Sequence, residues 1–344
     1  MNSIVSSSNR TIAIWLLICC ATIFAMVILG GATRLTGSGL SMVVWKPIMG
    51  ILPPFNQTDW EIAFQQYQQF PEYQLRNFHM NLTEFKSIFW FEYAHRLLGR
   101  GIGIIFIIPM LIFIFKGMVT RPLVPKLIIM FILGGLQGLL GWYMVKSGLV
   151  DNPHVSQYRL TAHFGLAVVI YGYMFWVAIG LLYPNKGQKH SLANFSIIIT
   201  CLIFITMLSG GFVAGLRAGL AYNTFPLMAG QWIPDGILSM EPMWRNLFEN
   251  IPTVQFDHRV LATLVFLIIT ALWIMAQRTK FPSQIRWGIN IFLIAMLIQV
   301  TLGISTLLLQ VPVILAVAHQ GGALVLFTIA LFVSHTLLNK KSQF

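Results

Sequence analysis

Ionisable side chains stand at the head of one of the long apolar runs in the sequence. The stretch FWFEYAHRLLGR, residues 89–100, places Glu92, His95 and Arg96 within little more than one helical turn. Ionisable groups are costly inside a membrane, and there they mark functional sites by default. An imidazole can ligate a metal, a carboxyl group can take up or release a proton, and a guanidinium can pair with an anion. We therefore expect a functional site at this stretch.

The composition indicates that the elements around this stretch are membrane helices. Of the 344 residues, 57% are hydrophobic and only 9% are charged, and the mean hydropathy is +0.76. A soluble protein carries about 25% charged residues. The apolar runs are long and continuous rather than alternating, which favours helices over a barrel. The three cysteines lie within these runs without a CxxC pair, so we interpret them as buried apolar residues rather than metal ligands.

Eight apolar runs have the length that a membrane-spanning helix requires. They cover approximately residues 12–32, 93–115, 122–145, 160–183, 194–216, 254–276, 286–309 and 312–338. We interpret the first as a retained helix rather than a cleaved signal. Two connections are long, at about residues 34–88 and 218–252, and a short interfacial helix is expected at 59–70.

The distribution of charged residues predicts the orientation of the chain. The side that holds both termini has eleven basic residues and no acidic one: Arg10, Lys116, Arg121, Lys126, Lys186, Lys189, Arg278, Lys280, Arg286, Lys340 and Lys341. Cytoplasmic loops carry such an excess, so both termini are expected to face the cytoplasm, or the matrix in a mitochondrion. Topology and contacts with anionic lipid then account for the net charge of +12 without nucleic-acid binding.

The sequence repeats itself after four spans, which predicts two halves, residues 1–188 and 189–344. Four segments recur in the same order: GGATRLTGSGL (30–40) and GGFVAGLRAGL (210–220), EYAHR (92–96) and QFDHR (255–259), QGLLG (137–141) and QVTLG (299–303), LTAHFGLA (160–167) and AVAHQGGA (316–323). After four spans the chain is again on the side of the membrane where it began. The pattern therefore predicts two four-helix bundles of equal orientation, related by a pseudo-twofold axis along the membrane normal.

Four of the eight histidines occupy matching positions in this repeat, one on each even-numbered span: His95, His163, His258 and His319. Each lies near the outer start of its span, so all four are expected toward the outer leaflet. The other four are interpreted as solvated or interfacial histidines: His79, His154, His190 and His335.

The four matching histidines predict two haem sites. Two imidazoles on two helices of a four-helix bundle can ligate a metal in the bundle core. No Asp, Glu or Cys stands beside either pair to complete a tetrahedral zinc site. Haem supplies four nitrogens to its iron and needs only axial ligands. We expect one site with His95 and His163, and a second with His258 and His319.

Arginines accompany both predicted sites. Arg96 and Arg259 directly follow the first histidine of each pair, where a guanidinium can bind a haem propionate or extend toward lipid head groups. Arg34 and Arg217, at the ends of spans 1 and 5, are further candidates for propionate contacts.

Two other repeated features favour helix packing. Gln137 and Gln299 could bind a ligand or a neighbouring helix, and we interpret them as helix contacts. The paired glycines that begin at Gly30 and Gly210 are expected to allow close approach of two helices.

Glu92 distinguishes the first half from the second, because the matching residue is Gln255. Residues three apart share a helix face, so Glu92 is expected to point toward the same haem as His95. A glutamine has a similar shape but cannot carry charge or take a proton. One site is thus predicted to perform chemistry and the other to serve structure or electron transfer. Alternatively, Glu92 is an interfacial residue paired with Arg96 or Lys86.

Several segments resemble the haem A synthase family, over about residues 12–338: EFKSIFWFEYAHRLLGR (84–100), GGATRLTGSGLSM (30–42), GGLQGLLGWYMVKSGL (134–149), NTFPLM (223–228), RNLFEN (245–250), VQFDHR (254–259) and VAHQGGAL (317–324). The long first loop is similar to that of proteobacterial and mitochondrial members. Some other bacterial members have a cysteine pair in this loop, which is absent from this sequence.

The resemblance implies oxidation of the C8 methyl of haem O to a formyl group, by hydroxylation and loss of water, to give haem A for cytochrome oxidase. It implies a haem b in the second half and the substrate haem in the first. The residues carried over are His258, His319, Arg259 and Arg217 for haem b, His95, His163, Arg96 and Arg34 for the substrate haem, and Glu92 as the catalytic carboxylate. Haem O synthase, an electron acceptor or donor, and lipid of the bacterial inner membrane are the expected partners.

Two other classes of protein fit parts of the pattern. A dihaem cytochrome b that only transfers electrons explains both histidine pairs, but it gives no reason for the difference between Glu92 and Gln255. A transporter built on a repeat would have polar groups near the membrane midplane, whereas here they gather at the outer edge.

Overall fold

Helices dominate the described part of the chain, which in this computed structural model comprises residues 7–43, 51–149, 153–184, 189–279, 281 and 283–338. These residues form ten α-helices and no β-strand. The helices are α1 (Ser7–Leu35), α2 (Gln57–Gln68), α3 (Leu82–Phe115), α4 (Val124–Lys146), α5 (Gln157–Leu182), α6 (Ala193–Gly215), α7 (Asn246–Glu249), α8 (Ile251–Gln277), α9 (Ser283–Leu308) and α10 (Val313–Leu338).

Eight of these helices, all except α2 and α7, are long and apolar enough to cross a membrane. They confirm the eight predicted spans, and α2 confirms the short helix predicted in the first loop. Some sequence features lie outside the described residues: the boundary between 188 and 189, and the basic residues Lys186, Lys280, Lys340 and Lys341.

Helix α3 begins eleven residues before the apolar run that predicted it. Asn81 caps this start, because its side chain accepts from the backbone N–H groups of Thr83 and Glu84, and the Glu84 carboxylate accepts from Asn81 N–H. Buried Phe85 and Phe89 on the added turns pack against the first loop. The Glu92–His95 segment therefore lies well inside a helix rather than at its mouth.

The same helix pairings occur in the two halves. In the first half, α1 packs against α3 and α5, and α4 packs against α3 and α5. In the second half, α6 packs against α8 and α10, and α9 packs against α8 and α10. These are the contacts that a four-helix repeat requires, and contacts of α1 and α5 with α10 and of α5 with α6 join the halves.

The second glycine of each GG pair lies at the junction of the halves. A Cβ added to Gly31 would stand 2.7 Å from Oε1 of Gln320 on α10, and one on Gly211 would stand 2.9 Å from Oγ1 of Thr161 on α5. The Gln320 amide also donates to the backbone oxygen of Val27 at 2.8 Å. A side chain at either glycine would require Gln320 or Thr161 to shift, which agrees with the close approach of helices that the GG pairs predicted.

Candidate functional site

Each of the four repeat-related histidines lies against a glycine of a neighbouring helix. An added Cβ would come within about 3 Å of the imidazole in every case: 3.2 Å for Gly30 and His95, 2.9 Å for Gly141 and His163, 3.2 Å for Gly210 and His258, and 2.8 Å for Gly303 and His319. The glycines occupy matching positions of the two halves, like the histidines. Each glycine thus leaves just enough room for the imidazole beside it. This close packing restricts where that ring can lie.

The two imidazoles of the second half are spaced as two ligands of one metal would be. The ring centroids of His258 and His319 are 6.5 Å apart and their planes differ by 87°. Two imidazoles on opposite sides of one metal, with bonds of about 2 Å each, have centroids roughly 6 Å apart. The described residues contain no group of three or more His, Cys, Asp or Glu side chains that could hold a metal ion. The pair therefore fits haem, which brings its own equatorial nitrogens.

Glutamine amides hold the second histidine of each pair from the preceding helix. Nε2 of Gln137 donates to the backbone oxygen of His163 at 3.0 Å, and Nε2 of Gln299 donates to that of His319 at 2.9 Å. The same amide nitrogens lie 3.2 Å and 3.1 Å from Nδ1 of the respective imidazoles. The glutamines are therefore helix contacts, as expected, and they contact the histidine side chains as well.

Glu92 is 2% exposed, and its carboxylate accepts hydrogen bonds from three described residues. Its Oε2 accepts from Ser41 Oγ at 2.7 Å and from the Met42 backbone N–H at 2.7 Å. Its Oε1 pairs with Arg96 Nη2 at 2.5 Å. The pairing with Arg96 that was an alternative for Glu92 is thus present, whereas Lys86 instead lies over the Trp60 ring. Because the carboxylate is buried within the protein, away from lipid and water, it differs from an exposed carboxylate at the membrane interface.

Arg96 and Arg259 both bind the loop that follows the first helix of their half. Arg96 Nη2 donates to the backbone oxygen of Met42 at 2.8 Å, and Arg259 Nη2 donates to that of Tyr222 at 2.9 Å. Arg259 Nη1 also donates to the backbone oxygen of Thr224. These contacts anchor the loops over the histidine pairs, and propionate binding by the two arginines stays a prediction.

The remaining predicted arginines lie at matching helix ends. Arg34 is in the last turn of α1, and Arg217 follows α6 with a left-handed φ of 54°. Among the described residues, neither guanidinium has a hydrogen bond to the protein. Nearby, Arg76 contacts His154, and burial together with the charge of Arg76 lowers the pKa of that imidazole.

The sequence did not predict two serines of this region. Ser41 contacts Glu92, and Ser209 Oγ lies 2.8 Å from Nδ1 of His258. A serine gives no signal by type alone, because most are satisfied locally. Comparison of the halves does offer one for Ser41, since the matching residue 180 positions later is Ala221.

A multi-pass, all-helical membrane protein with a duplicated set of histidines is the class that the fold and these residues define. The family model described as "Cytochrome oxidase assembly protein", COX15-CtaA, matches residues 13–331. The chain belongs to this family.

Relatives from bacteria and mammals match nearly the whole chain. A Nitrosospira multiformis protein named "Heme A synthase" is 56% identical over 334 residues, which cover 96% of this chain and 94% of that protein. A human protein named "Heme A synthase COX15" is 45% identical over 342 residues, which cover 96% of this chain and 83% of that protein. The family that the sequence resembles is thereby confirmed.

Proposed function

We propose that this protein is a haem A synthase, a membrane oxidoreductase that converts the C8 methyl of haem O to a formyl group and so supplies haem A to cytochrome oxidase. The names of its full-length relatives support the activity. The observation that carries the proposal on this chain is the buried Glu92 carboxylate. It stands three residues before His95, in a scaffold whose second copy has Gln255 instead.

The second half, residues 189–344, is proposed to hold haem b between His258 and His319. The separation of the two rings supports this assignment, as does the absence of a carboxylate at Gln255. When bound, haem b supplies a one-electron carrier beside the substrate site. Arg259 and Arg217 are the proposed propionate contacts, and Arg259 also fastens the outer loop through Tyr222.

The first half, residues 1–188, is proposed to hold haem O. His95 and His163 are the proposed ligands of its iron, and Gly30 and Gly141 leave room for their rings. Arg34 is the proposed propionate contact of this half, together with Arg96. The Arg96 guanidinium spans Glu92 and Met42, so it would hold the carboxylate in place while other edges of the guanidinium meet the substrate.

Glu92 is proposed to act as the base of the reaction. The overall change converts one methyl group and one water into a formyl group, four protons and four electrons. An ionised carboxylate at this position can take a proton from the attacking water, and its charge can stabilise positive charge that develops on the methyl carbon. Gln255 can do neither, which assigns catalysis to the first half.

The proposed location is the bacterial inner membrane, with both termini in the cytoplasm and both haem sites toward the outer leaflet. The eight candidate spans and the one-sided distribution of basic residues support this topology. Haem O synthase is the proposed source of the substrate, and a membrane electron acceptor is the proposed sink for its electrons.

The test is production of haem A in a host that makes haem O but has no haem A synthase of its own. Haems extracted from membranes with the wild-type chain should include haem A on chromatography. Glu92→Gln should retain haem b but make no haem A. Glu84→Gln is the matched control, because it makes the same change on the same helix and glutamine preserves the cap.

A dihaem cytochrome b is the second candidate, favoured by the close correspondence of the two histidine pairs. It predicts two stably bound haems and no haem A from an intact wild-type chain. That result would overturn the proposed synthase activity. Haem A production that persists in Glu92→Gln would instead overturn the role of the carboxylate.

A further inference from the structure

The first half differs from the second at two positions that touch each other. Glu92 corresponds to Gln255, and Ser41, which donates to Glu92, corresponds to Ala221. The next residues, Met42 after Ser41 and Tyr222 after Ala221, bind the arginine of their half in the same way. The Met42 and Tyr222 backbone oxygens accept from the arginine of their half at 2.8 Å and 2.9 Å respectively. In both halves an arginine therefore binds the backbone of this loop. The hydroxyl of Ser41 occurs only in the half that has the Glu92 carboxylate.

The second half shows the contacts at this position when the hydroxyl and the carboxylate are replaced by Ala221 and Gln255. Gln255 Nε2 donates to the Tyr222 backbone oxygen at 3.1 Å. Its Oε1 is buried and has no hydrogen-bond partner among the described residues. In the first half, Glu92 Oε2 receives two donors. Ser41 thus provides a contact that the fold alone does not require.

The Ser41 hydroxyl has one proton and three acceptors within reach. Glu92 Oε2 is nearest, at 2.7 Å, and the backbone oxygens of Ser38 and Ile88 follow at 3.0 Å and 3.4 Å. The bond to the ionised carboxylate is charge-assisted and is the strongest of the three. When Glu92 is protonated, the hydroxyl can turn its proton to Ser38 and accept from the carboxylic acid.

The neighbouring Met42 N–H cannot make this change, because a backbone amide only donates. Arg96 also donates only. Ser41 is therefore the one described contact of Glu92 whose hydrogen bond can reverse direction. No covalent bond of serine breaks in this exchange, since the hydroxyl keeps its own proton and rotates about its C–O bond.

We propose that Ser41 is a positioning residue for Glu92, which holds the carboxylate while it is ionised and accepts its hydrogen bond after it takes up a proton. This inference rests on the proposed catalytic role of Glu92. It assigns to the loop after α1 a part in proton transfer in addition to its structural role.

The test compares Ser41→Ala with Ser41→Thr in the haem A production assay, with purified protein for kinetics. Ser41→Ala should lower kcat about tenfold or more with little change in KM, because a hydrogen bond to a charged group is lost. Ser41→Thr keeps the hydroxyl and should restore most of the lost kcat.

A second readout does not depend on turnover. Infrared difference spectroscopy follows the carboxyl band of Glu92, assigned by its loss in Glu92→Gln, and Ser41→Ala should shift the frequency of this band because a hydrogen bond to the carboxyl group is lost. Haem b content reports whether each variant is folded. Ala221→Ser, the matched change in the other half, should leave the rate and the band unchanged.

The outcomes separate this inference from the proposed function. A wild-type carboxyl band in folded Ser41→Ala would overturn the role of Ser41, whatever its rate. Equal losses in Ser41→Ala and Ser41→Thr would also overturn it, since they would indicate packing rather than the hydroxyl. Absence of haem A from an intact wild-type chain would overturn the proposed function, while the infrared band would still report the contact between Ser41 and Glu92.

Discussion

The hydroxyl oxygen of Ser209 lies 2.8 Å from Nδ1 of His258, and the same hydroxyl donates to the backbone oxygen of Thr206. With the serine proton directed to Thr206, the hydroxyl oxygen is available to accept a hydrogen bond from Nδ1–H of the imidazole. In that tautomer the lone pair on Nε2 remains for a metal, as in metal sites whose histidine is oriented by a second hydrogen bond.

Ser209→Ala should therefore weaken haem b binding about tenfold to a hundredfold, since the imidazole loses the contact that fixes its tautomer and orientation. Titration of purified haem-depleted protein with haem, followed by absorbance, measures this change. Ser196→Ala on the same helix removes a similar bond, from Ser196 Oγ to the Ala193 backbone oxygen, without a histidine partner. Equal affinity in the two variants would contradict the proposed orientation of His258.

Gly141→Ala should impair the first site while sparing the second. The added Cβ would stand 2.9 Å from Cε1 of His163, a distance that forces the imidazole to move. We expect haem A production to fall at least about tenfold with haem b content unchanged. Gly138→Ala is the matched control, because a Cβ there has nothing within 4 Å and alanine is the better helix former. Equal haem A production by both variants would show that room beside His163 is not needed.

Glu72→Gln should change how the first loop responds to pH. Burial raises the pKa of Glu72 from 4.5 to about 7, although the hydrogen bond from Tyr67 lowers it in part. From about pH 4.5 to 7 the folded loop keeps a proton that the unfolded loop releases, so its stability falls as the pH rises. The variant cannot ionise, and at pH 8 its loop should be more stable by on the order of 2–3 kcal/mol, with little difference near pH 4.

Hydrogen exchange of the amides in residues 57–77 measures this local stability at both pH values. Glu61→Gln on α2 is the control, because Glu61 is exposed and accepts only from Gln57 in the same helix. If protection in the wild type and in Glu72→Gln declines equally between pH 4 and 8, the buried carboxyl is not the group that titrates.

Apolar length predicted the eight spans because about twenty apolar residues in succession match the thickness of a bilayer. It did not predict the start of α3 at Leu82, since those first turns are stabilised by the Asn81 cap and by packing of Phe85 and Phe89 against Trp60. The spacing of Asn81 and Glu84 is a capping-box signal that the sequence does contain. The aromatic packing depends on a loop helix distant in the chain and has no local signal.

Comparison of the two halves singled out Glu92 and the histidines. Residues that occur in both halves, such as the histidines, belong to the shared scaffold, whereas a residue found in one half, such as Glu92, points to a role of that half alone. The sequence did offer the pairing of Glu92 with Arg96, because the two residues are four apart on one helix. It could not predict that Met42 N–H also donates to the Glu92 carboxylate, since this depends on the path of the loop after α1. Nor could it predict that a glycine lies beside each imidazole, because a glycine in a membrane helix just as often allows two helices to pack closely. Those contacts appear only once the helices are paired.

The buried Glu92 carboxylate also leads to a prediction about the source of the formyl oxygen. In the proposed arrangement His95 and His163 would both hold the substrate iron, which would leave no open site on it for dioxygen, whereas an ionised carboxylate can take a proton from water. Synthesis under ¹⁸O-labelled dioxygen should therefore give haem A with an unlabelled formyl group, and synthesis in labelled water should give a labelled one. Preformed haem A kept in the same labelled water measures exchange of the carbonyl oxygen. Label from dioxygen in the formyl group would mean that Glu92 does not activate water.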